Sequence, residues 1–121
     1  MLASLDAFLA ERSGLTAAQI ETASLQLLVN NAELDARTAA KRRTPAPVSV
    51  GAYHRVLQQT RENVREAIYT LLFAQRKGYL RTADLRRLLD LVSSTSNALD
   101  AADVEQVASL VEALVRRIVM L

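Results

Sequence analysis

Apolar residues recur every three or four positions along most of this chain, which is the period of an α-helix and not of a β-strand. The pattern predicts an all-α fold: a compact helical bundle of five to six helices forming one domain over residues 1–121. The predicted helices span residues 2–11, 17–42 (as one helix or two), about 50–77, 82–92 and 101–121.

Capping residues and helix breakers divide these segments. Thr16 and Gln19 have the spacing of a capping box, and "TPAPVS" at 44–49 interrupts the helical pattern with two prolines. Asp35, if residues 31–35 break the 17–42 segment, would cap a second, shorter helix. Further helix starts are predicted at Ser49, Thr82 and Asp100, and a helix end is predicted at Gly78.

Three apolar stripes are evident in the pattern, each along one face of a predicted helix. In the helix from about residue 50, alternating steps of four and three place seven residues on one stripe: Tyr53, Leu57, Thr60, Val64, Ala67, Leu71 and Ala74. In the 17–42 segment, Ile20, Ala23, Leu27 and Leu28 recur at helical spacing. The buried face of the 82–92 helix is predicted to hold Leu85, Leu88, Leu89 and Val92.

The C-terminal helix has the most regular stripe, with a 3-4-3-4-3 spacing typical of a coiled-coil seam. It therefore predicts a homodimer interface formed by Val104, Val107, Val111, Leu114, Ile118 and Leu121. Ala108, Leu110 and Val115 widen the apolar face beyond a narrow seam. An ordinary helix buried within one chain remains the alternative.

The composition argues against an enzyme. There is no cysteine and a single histidine, and the three glycines form no phosphate-binding loop, so we predict no catalytic residues, metal, cofactor or small-molecule ligand. The longest semi-apolar run, "AIYTLLFA" at 67–74, is too short to cross a bilayer. The absence of cysteine and of a basic, apolar leader favours a cytoplasmic protein without a membrane partner.

Charge is distributed unevenly. Residues 1–35 carry a net charge of −4, residues 36–87 carry +9, and residues 88–121 carry −3. A basic middle region between acidic ends produces a local positive field, which suits a polyanionic partner. The alternative interpretation is an arginine-rich helical surface exposed to solvent.

The segment "ARTAAKRRTPAPVSVGAYHRVL" at 36–57 resembles the helix-turn-helix DNA-binding superfamily. Ala39 or Ala40 matches the small residue of its first helix, and Val48 matches the apolar residue of the turn. Ser49 would open the recognition helix, on which Tyr53 and Val56 occupy packing positions. The segment departs from the family because Pro47 replaces the usual turn glycine and because the turn and second helix are longer.

The resemblance implies a small transcriptional regulator that binds duplex DNA as a homodimer. Arginine can pair with guanine, and glutamine with adenine, while basic residues before the helix can hold phosphates. The implied DNA-binding residues are Lys41, Arg42, Arg43, Ser49, His54, Arg55, Gln58, Gln59 and Arg61.

Two alternatives stay open. Residues 68–99 resemble the equivalent part of winged-helix regulators, with Thr82–Leu89 as the first helix, Ser94 opening the second and Ala98 packing inward. The second helix of that register would carry no basic residue before Arg116, which disfavours contact with phosphates. The other alternative is a helical protein–protein interaction module without any role in nucleic-acid binding.

Overall fold

The computed structural model describes residues 4–96 and 99–121, and these two ranges contain six helices. They are α1 (Leu5–Arg12), α2 (Ala17–Asn30), α3 (Ala36–Lys41), α4 (Val50–Arg76), α5 (Thr82–Ser94) and α6 (Ala101–Ile118). The prediction of an all-α fold with five to six helices is confirmed. The 17–42 segment consists of two helices, with Asp35 capping the second as predicted.

The chain divides into two compact units. One unit comprises residues 14–68, and the other comprises residues 1–13 together with 69–121. Helix α4 contributes residues to both. The single domain expected over residues 1–121 stays a prediction.

The 14–68 unit has a small core built from α2, α3 and the start of α4. Ala39, Ala40, Tyr53 and Leu57 are buried in it, and they are packed against by Leu25, Val29, Leu34 and Val48. Thr16 and Gln19 form the predicted capping box at the start of α2. The small side chains of Ala39 and Ala40 in α3 leave room for the Tyr53 ring. The two helices can therefore pack closely in a core that contains few aromatic residues.

The apolar stripe of α2 is only partly buried, because Ile20, Ala23 and Leu28 are half-buried. Gln19 and Thr22 are the buried residues of this helix, whereas Leu27 is 62% exposed. Leu25 and Val29, which were not predicted, make the apolar contacts with the core. The buried polar side chains of α2 have hydrogen-bonding partners: Asn63 of α4 donates to Gln19, and Arg43, after α3, donates to Thr22.

The unit that contains α5 and α6 has a core of Leu5, Phe8, Ala108 and Val111. Leu88, Leu91 and Val92 of α5 pack against this core. An isolated antiparallel bridge pairs Leu80 with Val119. Next to it, the Met120 N–H donates to the Tyr79 carbonyl at 2.8 Å. Asp100 caps α6 as predicted.

Three predictions for α5 need correction. Thr82 does not cap the helix: Arg81 is the N-cap residue, and the Thr82 hydroxyl donates to Gln75 Oε1 at 2.7 Å. Leu89 is 57% exposed, whereas Asp84 is buried and accepts a hydrogen bond from Arg117. Ser94 is the last residue of α5 and opens no helix, so the register at 68–99 loses its second helix start. Ala98 lies outside the described residues.

Helix α6 uses its regular stripe within the chain. Val104, Val111 and Ile118 are buried, and Val107 and Leu114 are half-buried. Leu121, at 89% exposed, is the exception among the six residues predicted to form a dimer interface. A homodimer stays a prediction, but little of this stripe is exposed for a partner chain to contact.

Helix α4 ends at Arg76, and Gly78 follows two residues later at the predicted helix stop. Gly78 has a φ of +75°, which favours glycine. None of the helices in the described part of the chain combines the length and the apolarity needed to span a bilayer.

Candidate nucleic-acid interface

The contact between α3 and α4 organises the candidate site. Ala39 and Ala40 are almost completely buried, and Tyr53 and Leu57 pack against them from the first two turns of α4. Ser49 caps α4 because its Oγ accepts the Ala52 N–H at 3.1 Å. These positions agree with those expected for the small residue and the tyrosine, although Leu57 is buried more deeply than Val56. The identification of this unit as a helix-turn-helix stays a prediction.

The turn between the two helices is anchored to α2 through Glu21. Its carboxylate accepts the Arg43 Nε–H at 2.6 Å and the Thr44 N–H at 2.8 Å, and it also accepts the Thr44 hydroxyl. Arg43 Nη1 donates to the buried Thr22 hydroxyl at 2.8 Å. Val48 N–H then donates to the Ala40 carbonyl. The turn is therefore held at both ends, which positions the start of α4 without the usual glycine.

Two carboxylates of the 14–68 unit, Glu21 at this turn and Asp35 at the start of α3, have lowered pKa values. Hydrogen bonds from the Thr44 hydroxyl and N–H lower the pKa of Glu21, with a smaller contribution from Arg43. A hydrogen bond from the Thr38 N–H lowers the pKa of Asp35, the cap of α3. Burial raises the pKa of the Tyr53 phenol. The first two effects favour the ionised carboxylates that the turn and cap require.

Arg43 differs from the expectation for a phosphate contact. It is 8% exposed, and its guanidinium is engaged by Glu21 and Thr22. A phosphate would have to displace a carboxylate 2.6 Å away, so Arg43 serves as a structural anchor of the turn. The sequence could not distinguish it from its exposed neighbours Lys41 and Arg42.

The remaining predicted DNA-binding residues are all exposed in the 14–68 unit. Lys41 and Arg42 lie at the end of α3, and the others lie on or before α4: Ser49, His54, Arg55, Gln58, Gln59 and Arg61. The Ser49 hydroxyl already accepts its capping hydrogen bond. Gln58 Nε2 donates to Glu62 Oε1 at 3.1 Å, so a base contact by Gln58 would have to replace this bond.

Polar contacts between α2 and α4 were not predicted. The Tyr53 hydroxyl donates to Gln26 Oε1 at 2.9 Å, and Asn63 Nδ2 donates to Gln19 Oε1 at 3.2 Å. Gln19, Thr22 and Gln26 recur at helical spacing. This polar stripe is the sequence feature that could have indicated polar contacts on this side of α2. Its partners lie 27 and 44 residues further along the chain, so only the folded structure identifies them.

A groove of about 310 Å³ lies beside this surface between α2 and α4. Leu57, Val64 and Ala23 supply its apolar wall, and Arg61 and Arg65 line it with basic side chains. Among the described residues, no cluster of three or more histidine or carboxylate side chains forms a metal site. The chemistry of the surface is thus cationic and hydrogen-bonding.

Comparison with protein-family models, with curated proteins and with solved structures finds no match to this chain.

Proposed function

We propose that this chain is a DNA-binding protein, a small helix-turn-helix transcriptional regulator that binds duplex DNA as a homodimer. One observation carries the proposal: the first turns of α4 are fixed onto α3 by Tyr53 and Leu57, while the opposite side of α4 is exposed and rich in arginine, glutamine and histidine. A rigid helix that displays such side chains suits direct readout in the major groove.

The roles differ among the exposed residues. Arg55 lies one helical turn into α4 and is placed to contact a base edge, with Gln58 and Gln59 on the following turn. Lys41 and Arg42 at the end of α3 are placed to contact phosphates, which position the protein without specifying sequence. Glu62 lies beyond these residues and would repel phosphates there, so the proposed surface extends from Lys41 to Arg61.

The test begins by selecting bound sequences from a random duplex pool, followed by fluorescence anisotropy at several salt concentrations. We expect Arg55→Ala to lose about 1–3 kcal/mol on the selected sequence and to relax preference at one base pair. Arg42→Ala should weaken selected and random duplexes alike and reduce the salt slope by about one. Arg86→Ala on α5, exposed but outside the proposed surface, is the matched control.

Absence of binding at low salt would overturn the proposal. Binding without any selected sequence would reduce it to non-specific binding, and equal effects of Arg55→Ala and Arg42→Ala would exclude Arg55 as a base-reading residue.

A second candidate function follows from the groove between α2 and α4. Its apolar wall and its two arginines suit an acidic amphipathic helix from a partner protein. Arg65→Ala distinguishes the two functions, because Arg65 lines the groove but lies outside the proposed DNA surface. DNA affinity unaffected by Arg65→Ala, together with binding of an acidic helical peptide lost in that variant, would favour the interaction module.

A further inference from the structure

Three large apolar side chains are exposed together near the end of α4. Tyr69 is 71% exposed, Leu72 is 56% exposed and Phe73 is 61% exposed. Their spacing of three and four residues places them on one face of the helix. We call these three residues the aromatic face; all of them belong to the unit that contains α5 and α6.

The apolar surface continues beyond α4. The Phe73 ring meets the Tyr79 ring edge-on, with 6.3 Å between the ring centroids. The Met120 N–H donates to the Tyr79 carbonyl at 2.8 Å, and Met120 itself is 53% exposed. The aromatic face therefore adjoins Tyr79 and Met120.

The exposed area of this surface can be compared with the area that protein–protein interfaces bury. Since an aromatic side chain can bury 150–250 Å², the exposed fractions of Tyr69, Leu72 and Phe73 correspond to about 350 Å² per chain, and Met120 raises this area to about 450 Å². Two copies packed together over this whole surface would bury about 900 Å², which is the size of a weak protein–protein interface. An exposed apolar patch of this size on a small protein typically marks an interaction site.

We propose that a second copy of this chain covers the aromatic face, with the two α4 helices crossing antiparallel about a two-fold axis between Leu72 and Phe73. Such an axis pairs residues that are equally distant from it along the helix. Leu72 of one copy would then face Phe73 of the other, and Tyr69 would face Arg76.

The pairing of Tyr69 with Arg76 supplies electrostatic complementarity. A guanidinium over a phenol ring is attracted by the negative face of the ring, and the two-fold axis generates this contact twice. Arg76 lies seven residues after Tyr69, so it lies on the same side of α4. The surface is thus self-complementary, as an interface between identical chains requires.

This interface replaces the stripe of α6 as the site of dimerisation. It does not rest on DNA binding, because the dimer would form in the free protein and is measured without DNA. Failure of the DNA experiments would leave this interface intact. A monomeric protein that binds DNA would overturn this interface and the homodimer part of the proposed function, but not DNA binding itself.

The first experiment is sedimentation equilibrium of the full chain over a range of about 1–100 µM, without DNA. We expect a monomer–dimer equilibrium in this micromolar range. Leu72→Arg should weaken the dimer at least about tenfold, since it removes the apolar contact with Phe73 and brings two like charges near the axis. Leu71→Arg is the matched control, because Leu71 is the neighbouring leucine, is 46% exposed and lies about 100° further around the helix.

The second experiment tests the register at one position. Tyr69→Lys should weaken the dimer at least about tenfold because it places a cation opposite Arg76, whereas Tyr69→Glu should retain it through an ion pair. Adding Arg76→Glu to Tyr69→Lys should restore the dimer. Far-UV circular dichroism verifies that each variant folds, as expected for a side chain that is mostly exposed.

Several results would overturn the proposal. A wild-type chain that is monomeric at 100 µM would mean that another molecule or nothing covers the aromatic face. A dimer that survives Leu72→Arg, or that Leu71→Arg disrupts equally, would place the interface elsewhere. Equal effects of Tyr69→Lys and Tyr69→Glu would exclude the antiparallel register.

Discussion

The apolar stripes of α4 and α6 share the same alternation of three- and four-residue steps, yet the structure uses them in opposite ways. The α6 stripe was predicted to face a partner chain, but Val104, Val111 and Ile118 are at most 4% exposed within one chain. The α4 stripe was predicted to lie along one face of the helix. Tyr53, Leu57 and Thr60 are buried, whereas Val64 and Leu71 are 44% and 46% exposed.

The difference shows what an apolar period can and cannot specify. A stripe identifies the side of a helix that avoids water, because side chains three and four residues apart share one face. It does not identify the element that covers that side. The α6 stripe is covered by α1 and α5 of the same unit, while the α4 stripe loses its cover once it extends past α3.

The largest loss of stability is expected when a charge is placed in the α6 stripe, which α1 and α5 cover. Val111→Asp should destabilise the protein by about 4 kcal/mol or unfold it, because an unpaired carboxylate would be buried between α1 and α6. Val115→Asp, one turn later on α6 and 46% exposed, should cost less than about 1 kcal/mol. Urea denaturation followed by circular dichroism measures both, and equal losses would show that Val111 is not in the core.

The next effect compares the two halves of the α4 stripe. Leu57→Ala should cost about 3 kcal/mol, since it opens a cavity against Ala39 and Ala40. Leu71→Ala removes the same atoms from a side chain that is 46% exposed and should cost less than about 1 kcal/mol. Denaturation at low micromolar concentration is the measurement. A large loss from Leu71→Ala would mean that the second half of the stripe is covered after all.

The smallest expected effect concerns pH and the turn that fixes the covered half of α4. Hydrogen bonds from Thr44 lower the pKa of Glu21 below its ordinary value of 4.5. The unfolded chain therefore binds this proton more readily, so the stabilisation is complete above pH 4.5 and is lost as pH falls through the lowered pKa.

Glu21→Gln should accordingly lower stability at neutral pH and flatten its decline under acid conditions. Midpoints of urea unfolding between pH 7 and pH 3 provide the measurement, with Glu33→Gln, an exposed glutamate outside the turn, as the control. Identical pH profiles for the wild type and Glu21→Gln would show that Glu21 does not anchor the turn.

Most of the candidate site was predictable as a set of residues, but not as an arrangement. The exposed positions of Arg55, Gln58 and Gln59 followed from their place between the apolar residues of α4. The burial of Arg43 did not, because Lys41, Arg42 and Arg43 are equivalent in sequence and only the approach of Glu21 separates them. The inward face of α2 was missed for a similar reason, since a glutamine is polar in sequence whether it meets water or Tyr53.

The local sequence was enough to predict an all-α fold of five to six helices and the helix caps at Thr16, Asp35, Ser49 and Asp100. These properties depend on residues within one or two turns of each other, through capping and periodicity. Only the folded structure shows which apolar helix sides are covered by another helix, which arginine is buried and which aromatic residues are exposed. Those outcomes depend on contacts between residues far apart in the chain, which local sequence patterns do not predict.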